Sequence, residues 1–167
     1  FNVDQCEGLP EDYIAPMVSP DPVLAITETD ALITSSGARF NVGGGEAFYS
    51  PSHDFVQVPP QAAFHEPINW YRTALHELGH WTGHGSRLGR EQTGGFGSES
   101  YAREELVAEM AAAFTCASLG IAPTVRHSDY IGSWLSVLRS DEKAIFRACS
   151  AASKASDYLL AFVGDGQ

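Results

Sequence analysis

His76-Glu77-Leu78-Gly79-His80 is the stretch on which the reading of this chain turns. On a helix, two histidines four residues apart leave the same face one turn apart, so both imidazoles can share one metal ion. Glu77 sits one position on, where its carboxylate reaches the open side of that metal rather than binding it. From there it can take a proton from metal-bound water and pass it to a leaving amine, which is the work of the H-E-x-x-H signature of zinc-dependent hydrolases. The motif is short enough to recur by chance on an amphipathic helix, so its surroundings decide its meaning.

Those surroundings read as a helix. Glu66-Pro67 supplies a start, with proline at the first helical position, and Ile68, Tyr71, Ala74, Leu75, Leu78 and Trp81 recur at helical spacing. Leu78 is expected to face the core, and His76, Glu77 and His80 a cleft. Gly79 keeps one side of the helix slim, so that another element can approach, and Gly83 is a natural C-cap.

A catalytic zinc site takes three protein ligands and leaves one position for water. His84 follows His80 by four residues, but Gly83 is expected to end the helix before it, which leaves His84 a polar residue at the rim. The metzincin pattern H-E-x-x-H-x-x-G-x-x-H is met as far as Gly83, yet its last position is Ser86. The next helix is the better source. Leu106, Val107, Met110, Ala113 and Phe114 form its expected core face, while Glu105 and Glu109 share a neighbouring face four residues apart. Such a pair is ordinarily a solvated stripe, but here it flanks alanines that would let the helix pack against Gly79. Either carboxylate can serve as the third ligand of a Zn²⁺ ion, and Glu104 is expected at the surface. His127 and Tyr130 each have the chemistry to stabilise a tetrahedral oxyanion, or else to cap and pack. Arg87 and Arg90 are expected to anchor their loop.

The chain has 167 residues, 44% hydrophobic and 19% charged, enough for one soluble domain with a proper core. Its net charge of −11 argues against gripping nucleic acid through phosphates. No apolar run approaches membrane-spanning length, and no secretory leader pattern is evident, so no membrane partner is expected. Cys6, Cys116 and Cys149 show no C-x-x-C spacing. The latter two fall on apolar helix faces, which points to buried reduced thiols and a cytoplasmic setting.

Residues 1–20 lack periodicity and carry three prolines, so they read as a linker. A helix follows from Asp21-Pro22 to about Ser35. Three short strands come next, Ala38–Val42, Glu46–Ser50 and Phe55–Val58, the first pair linked by Gly43-Gly44-Gly45 and the second by Pro51-Ser52-His53-Asp54. The strand Glu46–Ser50 is a candidate edge for pairing with an extended peptide. After the motif helix comes a Gly/Ser-rich loop. Ser100 then caps a long helix running from Tyr101 to about Leu119, and two more helices start near Ser128 and Ser140. In the last, Ile145, Ala148, Cys149, Ala152, Leu159 and Val163 make the expected apolar face. This order gives an α+β domain over residues 21–167, a small three-stranded sheet packed on a helical bundle.

The motif with a downstream glutamate resembles the gluzincin arrangement, in which a Glu on a following helix is the third ligand and a carboxylate four residues later orients a ligand histidine. That resemblance implies Glu105 as ligand and Glu109 as the partner of a ligand histidine, His76 in the first instance. Joined to Glu104-Glu-Leu-Val-Ala-Glu-Met110 and to strings such as Phe48-Tyr-Ser-Pro51, Asp54-Phe-Val-Gln-Val-Pro59 and Tyr130-Ile-Gly-Ser-Trp134, the chain resembles the C-terminal zincin-like metallopeptidase domain of ArdC antirestriction proteins and the related region of TraC-type plasmid primases. A more distant likeness is to the ImmA/IrrE peptidases. The resemblance implies a zinc metallopeptidase domain with a protein or peptide substrate, or else a metal-stabilised binding module that engages restriction or replication proteins. It also implies a plasmid-borne bacterial protein that protects incoming DNA during conjugation. A preceding domain, outside this chain, would bind single-stranded DNA, with residues 1–20 as the junction.

Overall fold

Pro22–Ser35 (α1), Phe40–Val42 (β1), Phe48–Ser50 (β2), Phe55–Val58 (β3), Pro67–Trp81 (α2), Glu99–Ser118 (α3), Ile131–Ser140 (α4) and Ala144–Leu160 (α5) succeed one another in a computed structural model that describes residues 22–95, 97–122 and 131–163. The expected α+β class holds. Residues 1–20 and the start expected near Ser128 lie outside the described residues. Among the described residues, no helix is long and apolar enough to cross a membrane.

The sheet order is β1-β3-β2, which corrects the expectation that Gly43–Gly45 joins paired strands. Only β2 and β3 form an antiparallel pair, with Tyr49 opposite Val56. β1 instead runs parallel to β3, Phe40 opposite Val56. Burial explains the order. Val56 and Val58 are fully buried and Tyr49 nearly so, whereas β1 exposes Asn41 and Val42, so the strand with the most apolar inward face takes the centre. Gly44, at φ +68°, turns the chain away from β1 in a conformation few other residues adopt. β2, the candidate edge, does lie at one side of the sheet.

α2 is the axis of the fold. Leu75 and Leu78 are fully buried against Leu32, Val56 and Val58, so one face of the helix closes on the sheet and α1. Its opposite face meets α3 at Gly79, where an added Cβ would lie 3.2 Å from the Ala108 carbonyl oxygen. Glycine and alanine together therefore set how closely the two helices approach. α3 opens at Ser98, not Ser100: the Ser98 hydroxyl accepts from the Tyr101 amide at 3.2 Å. α5 lies along α3 on Ala144, Ala148, Ala152, Ala155 and Leu159. This face is rotated from the expected one, and Ile145 and Cys149 are exposed as a result. Small side chains permit the close contact, and the Thr115 hydroxyl donates to Ser156 Oγ across it at 3.0 Å. Cys116 is buried as expected.

Candidate metal centre

The contact of α2 with α3 brings His76, His80 and Glu105 together. His76 Nε2 lies 3.5 Å from one oxygen of Glu105, and His80 Nε2 lies 3.4 Å from the other. All three side chains offer a ligand atom within 4.8 Å of one another. The spacing fits a shared ion: two ligands each about 2.1 Å from a tetrahedral metal stand about 3.4 Å apart. His76 and Glu105 are buried, and the His80 side chain is 12% exposed. The fold therefore brings the three donor groups together in a largely buried place.

The outer nitrogens point at two further glutamates. Glu109 Oε2 is 3.1 Å from His76 Nδ1, and Glu104 Oε1 is 3.3 Å from His80 Nδ1. A carboxylate on the far nitrogen holds an imidazole in the orientation and tautomer that leave Nε2 free to bind. Glu104 corrects the sequence reading, which left it at the surface: it is buried. Its carboxylate also accepts from Arg90, Nε to Oε2 at 2.9 Å and Nη2 to Oε1 at 2.7 Å, and from Gln92 Nε2 at 3.1 Å. Arg90 donates in addition to the Thr82 hydroxyl and the Gly79 carbonyl, and Gln92 to the His80 carbonyl. The loop that follows α2 is thus tied to the backbone of the histidine helix and to the carboxylate that orients His80.

Burial works against a protonated His80, but Glu104 and Glu105 overcome it and raise its pKa from 6.5 to about 10. His76 is raised in the same way, burial opposing and Glu105 and Glu109 prevailing. Burial likewise opposes the charge on Glu104 and Glu105, yet the facing imidazoles, and Arg90 in the case of Glu104, hold both carboxyls below the usual range. The carboxylates thus keep their charge inside the protein by facing cationic partners, and a metal ion bound by the Nε2 atoms would take the place of the imidazole protons.

Glu77 is buried on α2 between the two histidines, near enough for its charge to act on both imidazoles. A cavity of about 170 Å³ opens on His80 and Glu105 and is walled by Tyr49, Gln92 and Tyr101. Tyr49 is held there by Asp54, whose carboxylate it meets at 2.8 Å and which also pairs with Arg87. Arg87 donates to the Trp81 carbonyl at 2.5 Å and lies over the Trp81 ring, so both arginines anchor the loop as expected. His84 stands outside the cluster, with its Nδ1 2.8 Å from the Ser86 hydroxyl. His127 and Tyr130 lie outside the described residues. Sequence reasoning places Glu104 at the surface, gives Arg90 a role in the loop alone, and misses Gln92, Tyr49 and Tyr101. Of these only Tyr101 carried a signal, one helical turn before Glu105 and hence on the same face.

Two histidines one turn apart on a helix and a carboxylate from the next helix make a donor set that could hold one divalent metal ion. The chain belongs to the zincin-like metallopeptidase family, whose model matches residues 27–151. It is 42% identical over 165 residues to a DNA primase TraC of Escherichia coli, covering 97% of this chain and 15% of the relative. It is 39% identical to protein y4eC of Sinorhizobium fredii, covering 100% of this chain and 54% of that one. Among solved structures, the Mn(II)-bound antirestriction protein ArdC from plasmid R388 matches with a TM-score of 0.80 and 38% identity over 100% of this chain and 62% of that one. Its metal-free form matches with 0.77 and 40% identity, over 100% and 60%. The chain thus spans under two thirds of the relatives it matches.

Proposed function

We propose that this domain is a metallopeptidase of the ArdC type, with His76, His80 and Glu105 as ligands and Glu77 as general base and acid. The carrying observation is the pair of Nε2 atoms facing the two oxygens of Glu105 at ion-sharing distance. A divalent cation held there supplies Lewis acidity and lowers the pKa of a water bound to it. The two-nitrogen, one-oxygen donor set suits Zn²⁺ and also accommodates Mn²⁺, the ion of the ArdC structure. Glu77 would take the proton of the attacking water at its carboxylate and return it to the leaving amine, while Glu104 and Glu109 hold the imidazoles in place. β2, at the edge of the sheet, would align an extended peptide by backbone pairing. His127 and Tyr130 remain in this proposal as oxyanion donors.

The alternative is a metal-stabilised binding module that engages restriction or replication proteins. It draws on the antirestriction name of the ArdC match. Against a purely structural metal stands the metal-free ArdC structure, which resembles this chain nearly as well as the loaded one, with TM-scores of 0.77 and 0.80. Among the described residues Glu77 makes no hydrogen bond or ion pair that would call for a carboxylate beside the ligands. The wider setting belongs to the same proposal: a cytoplasmic bacterial protein, plasmid-borne, with single-stranded DNA bound by a domain outside this chain. Glu77→Gln in the full-length protein tests the choice. Metal content and fold should be retained, with peptidase activity down by orders of magnitude. Undiminished antirestriction by that variant would favour the binding module.

A further inference from the structure

On the far side of Arg90 from the histidines, a groove of about 660 Å³ runs between the loop after α2 and the outer face of α5. Its walls hold Arg90, Lys143, Arg147 and Lys154, four of the ten basic residues in a chain of net charge −11, and these include both lysines. Lys143, Phe146, Arg147, Ser150 and Lys154 follow one another at three- and four-residue steps, so they form one stripe along α5. Phe146 is 74% exposed, the most exposed large apolar side chain among the described residues, and Leu88 stands across from it.

We propose that this groove is a docking site for a short acidic polypeptide segment carrying an apolar side chain between its carboxylates. Charge selects the class of partner. Arg90 is committed to Glu104 and Arg147 to Asp141, which leaves the two exposed lysines as cations with no carboxylate partner among the described residues. Two cations match the ends of a short acidic segment. A nucleic acid backbone, by contrast, would carry many more charges past a surface that is otherwise acidic, and its affinity depends on neutralising several phosphates. Spacing sets the segment: the eleven residue steps from Lys143, the cap of α5, to Lys154 span about 16 Å, or about five residues of extended peptide at roughly 3.3 Å each. An apolar side chain between the acids would then lie on Phe146 and Leu88. The inference stands whether or not the metal centre cleaves peptides, because it concerns a different surface.

The test is fluorescence anisotropy of a labelled hexapeptide, Glu-Glu-Leu-Phe-Glu-Glu, against its Gln-Gln-Leu-Phe-Gln-Gln counterpart and an oligothymidylate of about twelve nucleotides. The acidic peptide should bind, and its affinity should fall about tenfold in K143E/K154E, where two exposed attractions become repulsions. Phe146→Ala should weaken it several-fold. These side chains are exposed, so an unchanged melting temperature is expected to show that the variants fold. Equal binding of the Gln peptide, no loss in the double variant or no binding of either peptide would overturn the proposal. Tighter binding of the oligonucleotide than of the acidic peptide would overturn it in favour of nucleic acid.

Discussion

Glu104→Gln separates the two possible meanings of a residue that looks like surface in the sequence. The substitution keeps shape but removes the charge that faces Arg90 twice, Gln92 once and His80 once. Both partners of the ion pair are largely buried, with side-chain exposures of 12% for Arg90 and 10% for Glu104. A hydrogen bond to a charged group contributes about 1.5–3 kcal/mol and a neutral one about 1. Losing the charge from two such bonds, with a guanidinium left short of its counterion, is therefore worth about 3 kcal/mol. For a domain of this size that lowers the melting temperature by about 6–12 °C. The scan is run on metal-free protein in a chelator, so that lost metal cannot supply the shift. Metal affinity, measured separately by competition with a chelator, should fall about 10–100-fold, because His80 loses the group that orients it.

The double variant Arg90→Met/Glu104→Gln sharpens the test, since it leaves no uncompensated charge and should recover part of the lost stability. A solvent-exposed glutamate would behave differently. Its replacement stays within about 0.5 kcal/mol of the parent. A melting temperature within about 2 °C of the parent in Glu104→Gln would refute the buried network and return Glu104 to the surface.

Glu105→Ala should be isolated largely metal-free, while Glu109→Ala should hold metal and surrender it faster to a chelator, by about 10–100-fold in affinity; the reverse ranking in metal analysis would move the ligand to Glu109. Because the folded-state pKa of His80 is raised from 6.5 to about 10, its share of metal-free stability is complete below pH 6.5 and lost as pH rises through 10. Melting temperatures in chelator should therefore decline across that window, and a curve still rising there would sink the assignment. A cation must displace the same proton to reach His80 Nε2, so calorimetric binding heats near pH 8 should vary with buffer ionisation enthalpy, and buffer-independent heats would contradict it. In a Cys6→Ser background a thiol reagent should modify Cys149 in the folded protein and leave Cys116 untouched, in line with their burial; fast modification of both would show that α5 does not cover α3 as described.

What the sequence made legible follows from which patterns are local. The start, apolar face and motif of α2 could be read because they all lie within fifteen residues, although its C-cap is Thr82 and not the expected Gly83. The approach of α3 to Gly79 was legible too, since small residues on two helices leave few other arrangements. Pairing between distant elements was not. Nothing within Gly43–Gly45 says that β1 passes over to the far side of β3, because that choice rests on which strand has the most apolar face to bury. The register of α5 failed for a related reason. Ile145 and Cys149 look more apolar than Ala144 and Ala155, yet close packing on α3 selects small side chains over greasy ones.

Glu104 escaped because its partners come from a loop with no periodicity. Arg90 and Gln92 reach α3 from a Gly/Ser-rich segment, and only the folded chain shows that they converge on one carboxylate. That convergence has a consequence for the site. Each histidine is backed by its own glutamate, and Glu104 is in turn backed by an arginine and an amide that also hold the Gly79 and His80 carbonyls. His80 is therefore tied to the loop through both its side chain and its backbone, while His76 meets Glu109 and Glu105 of α3. A movement of the loop would act on His80 directly, at its imidazole through Glu104 and at its carbonyl through Gln92.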